Sequence, residues 1–238
     1  MTSHITVHEI EELAESLVRK FHGSRGKHPQ AVDIDAFVTK FLKLPIEYHS
    51  FAEADSSKIG FIADGISPLW IYQSGARAVV FPKGTVVLER VLRQPREEPR
   101  RRFTLAHEAG HYVLDRTVAA ASFHREYDCE QSYTPQELRE LLSFRENQVD
   151  RLAAAILMPR HMMMNNVDRF TAGKPISIYG NNLLRLEDKL LVQKMADTMG
   201  VSYTAFFIRL KQLDLCIKRS AEEYITLEMG LGNEAMPL

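Results

Sequence analysis

Residues 103–115, Phe103-Thr104-Leu105-Ala106-His107-Glu108-Ala109-Gly110-His111-Tyr112-Val113-Leu114-Asp115, hold no proline and read as one helix. His107 and His111 are four residues apart, so a helix sets both imidazoles on one face, a turn from each other. At that spacing two ring nitrogens reach a single metal ion at about 2.0–2.1 Å. Glu108 lies about 100° further round by the 3.6-residue period. That is too far to share the ion easily, but within reach of a water beside it, where a general base belongs. Phe103 and Leu114 extend the histidine face, which points the imidazoles inward. Gly110 is costly, because a glycine inside a helix loses about 1 kcal/mol against alanine. Its presence suggests that a substrate, a strand or a second helix comes close to the histidine-bearing helix.

A catalytic zinc takes a third protein ligand and keeps one position open. Residues 144–160, FRENQVDRLAAAILMPR, offer Glu146. Val149, Leu152, Ala153, Ile156 and Leu157 form an apolar helical stripe with Glu146 at its head. A carboxylate facing a core is costly unless it is paired or bound to a metal. Ser143-Phe144-Arg145-Glu146 also fits a capping box, with Glu146 reaching back to the Ser143 amide. Asp150 is one turn further on, placed to accept the free ring N–H of a ligand histidine and fix its tautomer. Thr134-Pro135-Gln136-Glu137 is a second capping-box pattern and marks a helix start at Thr134, running through Met158 or restarting at Ser143.

The rest of the chain sets the frame. Its 238 residues suffice for one large domain, and a formal net charge of −1 points to neither nucleic acid nor a membrane surface. Cys129 and Cys216 stand far apart, which argues against a disulfide framework and for a reducing compartment. The start, MTSHITVHEIEELAESLVRKFHG, is charged throughout and is no signal peptide; no stretch is apolar for long enough to span a bilayer. The expectation is a soluble, cytoplasmic protein with no membrane partner. Residues 5–22 and 31–43 carry helical periodicity. Residues 46–51, 58–63, 69–72, 78–81 and 85–91 read as short strands between turn residues, giving a mainly antiparallel or mixed sheet. Residues 93–102 (RQPREEPRRR) read as a solvated, charged connector. From Phe103 onward the chain reads as mostly helical, and the tail after Ser220 has no clear pattern. The fold class is therefore α+β.

The two central motifs together resemble one known family. Arg102-Phe103-Thr104-Leu105-Ala106-His107-Glu108-Ala109-Gly110-His111, followed by Glu146-Asn147-Gln148-Val149-Asp150-Arg151-Leu152-Ala153-Ala154-Ala155-Ile156-Leu157-Met158-Pro159, looks like the ImmA/IrrE family of metallopeptidases. Met195 to Leu210 (MADTMGVSYTAFFIRL) resembles that family's closing helix pair, and the likeness extends over most of residues 8–215. Val149-Asp150 stands where Ala-Asn is usual, Leu152 replaces a common phenylalanine, and Ala155 a common glutamate. The resemblance implies a zincin-like fold and a zinc peptidase with a gluzincin-like ligand set. His107, His111 and Glu146 map onto the metal ligands and Glu108 onto the catalytic glutamate. It also implies limited proteolysis of a cytoplasmic partner, a helix-turn-helix repressor.

The expected division is a metallopeptidase domain over 1–175, a C-terminal helical segment over 176–220 packed on it, and a tail over 221–238. His124, Tyr127, Tyr133, His161 and Tyr203 are candidate donors to an oxyanion. Cys129, between the two motifs, is a candidate redox contact to the metal. The competing reading is a non-hydrolytic metal-binding or DNA-binding regulator. Met195 to Leu210 has the helix–glycine–helix look of a DNA reader, with Arg209, Lys211, Lys218 and Arg219 as positive charge. Phe206, Phe207 and Leu210 look like packing residues instead, so direct nucleic-acid binding is disfavoured.

Overall fold

The computed structural model describes residues 5–23, 29–55, 57–118 and 135–228. The chain divides into two compact units, Met1–Pro159 and Arg160–Leu238. The boundary therefore falls ahead of residue 175, at the proline that ends the second motif.

The first unit opens with helix α1, Val7–His22. Thr6 caps it in a reciprocal box: its hydroxyl accepts from the Glu9 amide at 3.2 Å, and the Glu9 carboxylate accepts from the Thr6 amide at 2.7 Å. The buried stripe is Ile10, Ala14 and Val18. It is rotated slightly from the larger Leu13, Leu17 and Phe21, which sit half-buried on its flank. A short helix α2, Ile34–Ala36, starts at the Asp33 cap and continues as a π-helical turn, Phe37–Phe41.

Five short strands follow: β1 Ile46–His49, β2 Gly60–Ile62, β3 Leu69–Tyr72, β4 Ala76–Val79 and β5 Val86–Glu89. The first sheet has the order β1-β5-β2 and is mixed, with β1 parallel and β2 antiparallel to β5. β3 and β4 form an antiparallel hairpin. Alternation along β2 and β5 divides their side chains between two layers. Phe61 and Val87 join Leu69, Ile71 and Phe81 in a cluster under the hairpin. Gly60, which pairs with Leu88, turns the other way, toward helix α3, Glu98–Val118.

α3 begins earlier than the periodicity of its apolar residues suggests. Residues 90–93 and 95–97 are 3-10 turns, and Pro99 lies in the first turn of α3, where its missing N–H is harmless. The charged stretch 93–102 is solvated at Arg93, Arg96 and Arg100, as expected of a connector, but its last two arginines are anchored in the fold. The Arg101 guanidinium grips Asp35 in a bidentate pair at 2.7 and 2.9 Å and also bonds Glu98 and Tyr48. Arg102 is 8% exposed and donates to the Val32 carbonyl at 2.9 Å.

Helix α4, Pro135–Leu157, packs along α3. It runs unbroken through Ser143, so Ser143 lies inside the helix and cannot be an N-cap. Leu105, Ala106 and Ala109 of α3 and Val149, Leu152, Ala153 and Ile156 of α4 are all 0% exposed, at helices that pack together. A Cβ on Gly110 would stand 3.2 Å from Val149 Cγ1 and 3.5 Å from its carbonyl oxygen. The glycine thus serves helix–helix approach, one of the three roles open to it from sequence.

The second unit contains α5 Arg160–Thr171, β6 Ile176–Tyr179, α6 Leu186–Met199, α7 Tyr203–Gln212, β7 Cys216–Arg219 and α8 Ala221–Glu228. β6 and β7 pair in parallel across the α6–α7 crossover, so residues 176–220 are not wholly helical. α8 gives structure to the head of the segment expected to be a tail. Gly200 ends α6 in a left-handed conformation with φ 67°, and Ser202 caps α7 through the Ala205 amide. Arg209 is 1% exposed, and Phe206 and Leu210 are fully buried. Among the described residues no helix is long and apolar enough to cross a membrane.

Candidate metal centre

Helical geometry on α3 does what the spacing requires. The His107 and His111 rings lie one turn apart, with centroids 4.8 Å apart and planes at 77°. Their Nε2 atoms approach to 3.1 Å. α4 brings Glu146 over the pair, with Oε2 at 3.2 Å from His107 Nε2 and 3.6 Å from His111 Nε2. The three residues form a group whose ligand atoms all lie within 4.8 Å of one another.

These separations suit a metal ion. Tetrahedral ligands at about 2.05 Å from zinc stand about 3.3 Å from each other, and the three observed distances bracket that value. The donor set is two imidazoles and one carboxylate. The imidazoles are 20% and 17% exposed, while Glu146 is 51% exposed. Glu146 therefore does not face the core as its place on the apolar stripe suggests. It sits on the stripe's edge, directed at the histidines by proximity and charge. The capping alternative falls away because α4 is continuous at Ser143.

Asp150 lies one turn along α4 from Glu146. Its Oδ1 is 2.8 Å from His107 Nδ1. A carboxylate acceptor there keeps the proton on Nδ1 and leaves the Nε2 lone pair directed at His111 and Glu146. Burial disfavours a charged His107, but the Asp150 hydrogen bond and the carboxylates of Glu108, Asp150 and Glu146 outweigh it and raise its pKa. His111 is shifted the other way: burial, with the charges on His107 and Arg145, lowers its pKa against the pull of Glu146. The carboxylates around the pair thus favour a positive charge at His107, while burial keeps His111 neutral, the form in which an imidazole offers a lone pair to a metal. Arg145 and Asp115 form an ion pair that links the two helices beside His111.

Glu108 is 7% exposed and stands off the ligand cluster. Burial raises its carboxyl to about 7; nearby His107 pulls it down, Glu146 pushes it up, and the Ile62 backbone N–H, which donates to it, pulls it down. The strand β2 is its neighbour, since a Cβ on Gly60 would lie 2.5 Å from Glu108 Oε1. Sequence reading treats β2 only as a strand. The available signal was a glycine inside a short β-run, which marks a close approach.

His161 and Tyr203 lie in the second unit. His124, Tyr127, Tyr133 and Cys129, together with the Thr134 helix cap, lie outside the described residues. Residues 91–170 match the family model of peptidase family M78, described as the IrrE N-terminal-like domain. The match takes in all five site residues, and over that stretch the resemblance to the ImmA/IrrE family holds. No curated protein matches the chain.

Proposed function

We propose that the protein is a zinc-dependent endopeptidase that makes limited cuts in a cytoplasmic partner, a helix-turn-helix repressor. The observation that carries the reading is the convergence of His107, His111 and Glu146 beside a buried carboxylate, Glu108. His107, His111 and Glu146 would hold the ion. Two histidines and a carboxylate also suit iron(II); the buried carboxylate of Glu108 beside the ligands, where a base for water belongs, favours hydrolysis at zinc. When bound, zinc supplies a Lewis acid for the scissile carbonyl and makes water a better nucleophile.

The chain's own residues do the rest. Glu108 accepts the proton of the attacking water and then gives it to the leaving amine. Asp150 holds His107 in the tautomer that keeps Nε2 free for the ion. β2 lies at the sheet edge beside Glu108, and an edge strand offers an extended peptide backbone partners for pairing. The repressor as substrate rests on the resemblance to the ImmA/IrrE family. The burial of Phe206, Arg209 and Leu210 supports a packing role for the α6–α7 pair over base reading.

The test joins metal analysis to cleavage of a repressor encoded beside this protein's gene. Wild-type protein is expected to hold one zinc and cut the repressor at one or few sites. Glu108→Gln is expected to keep the zinc and to lose activity by about 10²-fold or more. A Glu108→Gln protein that cuts at the wild-type rate sinks the mechanism, and absence of bound metal in both proteins sinks the metal site.

A further inference from the structure

Strand β2 lies against α3 at Thr104 and Glu108. The Glu89 amide donates to the Ile59 carbonyl, and the Ala63 amide to the Thr85 carbonyl, both at 2.9 Å. In an antiparallel pair such groups alternate, so Gly60 and Ile62 turn their N–H and C=O away from β5. The Ile62 N–H is used: it donates to the Glu108 carboxylate. Gly60 is not among the positive-φ glycines, so backbone conformation does not demand a glycine there. Space does. A Cβ at that position would lie 2.5 Å from Glu108 Oε1, 2.6 Å from Thr104 Cγ2 and 3.1 Å from Glu108 Cδ.

We infer that Gly60 is a positioning residue for Glu108: the side chain it lacks is the space that seats the carboxylate against the Ile62 amide. The inference rests on the reading of Glu108 as the base. The groups around Gly60 differ in how easily they yield. Thr104 is β-branched, and its hydroxyl is held on the Arg100 carbonyl at 3.0 Å. Gly60 itself is fixed in register opposite Leu88. The Glu108 carboxylate is the end of a flexible side chain and gives way first. A methyl on Gly60 thus displaces the base while leaving His107, His111 and Glu146 in place. Misplacing a reacting group by about 1 Å costs up to about 10²-fold in rate.

The experiment measures three things on full-length Gly60→Ala: zinc affinity by chelator competition, kcat and KM on a cleaved substrate, and residue-resolved amide hydrogen exchange. Zinc affinity and KM are expected within about twofold of wild type, with kcat down about 10- to 100-fold. The Ile62 amide is expected to exchange at least about tenfold faster, while the Ala63 amide, bonded to Thr85, stays protected. Unchanged kcat or unchanged Ile62 exchange overturns the inference. Glu108→Ala, with Gly60 intact, gives a second readout that needs neither activity nor a folded Gly60→Ala. There too Ile62 must lose protection while Ala63 keeps it, and equal protection of Ile62 in both proteins overturns the seat. A wild-type protein without peptidase activity defeats the proposed function, and the exchange data still decide where the Glu108 carboxylate sits.

Discussion

Asp150→Ala separates the residue that orients a ligand from the residues that supply one. Asp150 Oδ1 accepts from His107 Nδ1 at 2.8 Å, and its side chain is 53% exposed. A hydrogen bond to a charged partner contributes about 1.5–3 kcal/mol. With half the carboxylate in water, roughly half of that is expected here, about 0.75–1.5 kcal/mol, which is a factor of about four to thirteen in affinity. That lies at the low end of the range of about 10- to 100-fold for outer partners of metal-binding histidines. Asp150→Asn keeps an acceptor oxygen but not the charge, so its loss should be smaller, about two- to threefold. Zinc affinity is measured by competition with a chromophoric chelator at fixed pH, with Glu146→Ala as the reference for a lost ligand. The expected order of weakening is Glu146→Ala, then Asp150→Ala, then Asp150→Asn. An Asp150→Ala protein that binds zinc as tightly as wild type would show that Nδ1 needs no anchor.

Metal removal should loosen the pairing of α3 with α4, since the ligands come from both; with free zinc at about 100 times Kd the fold gains about 2.7 kcal/mol over the metal-free state, read as a fall in Tm on adding chelator. Gly110→Ala gains about 1 kcal/mol of helix propensity but drives a methyl to 3.2 Å from the stiff, fully buried Val149. Overpacking of about 1–3 kcal/mol should win, so the variant is expected to unfold about 1 kcal/mol earlier in urea; a stabilised variant would refute the close-approach reading. The Arg101 guanidinium holds the Asp35 carboxyl below its usual pKa. The stability from that pair is complete above about pH 4, the range of an unfolded aspartate, and drains away as pH falls through the lower folded value. Asp35→Asn should therefore cost up to about 1 kcal/mol near neutrality and converge on wild type in acid, as followed by urea unfolding across pH.

The ligand set was legible because helical periodicity turns sequence spacing into direction. His107 and His111 follow from one turn of α3, and Glu146 and Asp150 from one turn of α4. Bringing the two turns face to face is a tertiary matter, and there the local rules mislead. Ser143-x-x-Glu146 matches a capping box, but the upstream turns of α4 supply the Ser143 amide with a helical partner, so the box has nothing to cap. Arg93, Arg96 and Arg100 are solvated as the charge run suggests, but Arg101 and Arg102 look solvated only when neighbours in sequence alone are considered. Asp35 and Val32, which hold Arg101 and Arg102, come from the far side of the sheet region in sequence. The β6–β7 pair was missed for a similar reason: two four-residue strands in parallel are joined only across both helices of the crossover.

Glycines mark the two places where such long-range packing reaches the site, and they differ in how much of their reason lies in the local chain. Gly110 carries a visible local penalty, because a helix resists glycine, so the sequence itself asks for a reason; Val149 at 3.2 Å supplies it. Gly60 carries little local signal, since a three-residue edge strand loses less by holding a glycine. Its reason appears only once α3 lies across β2 and Glu108 Oε1 occupies the space a Cβ would need. The ligands are thus set by helical spacing within α3 and α4, whereas the seat of Glu108 depends on how near the sheet edge can come. A substitution that leaves every ligand in place can then still remove the base from its water. For that reason the Ile62 amide, whose protection depends on Glu108 being seated, is the sharper probe of the site than metal content alone.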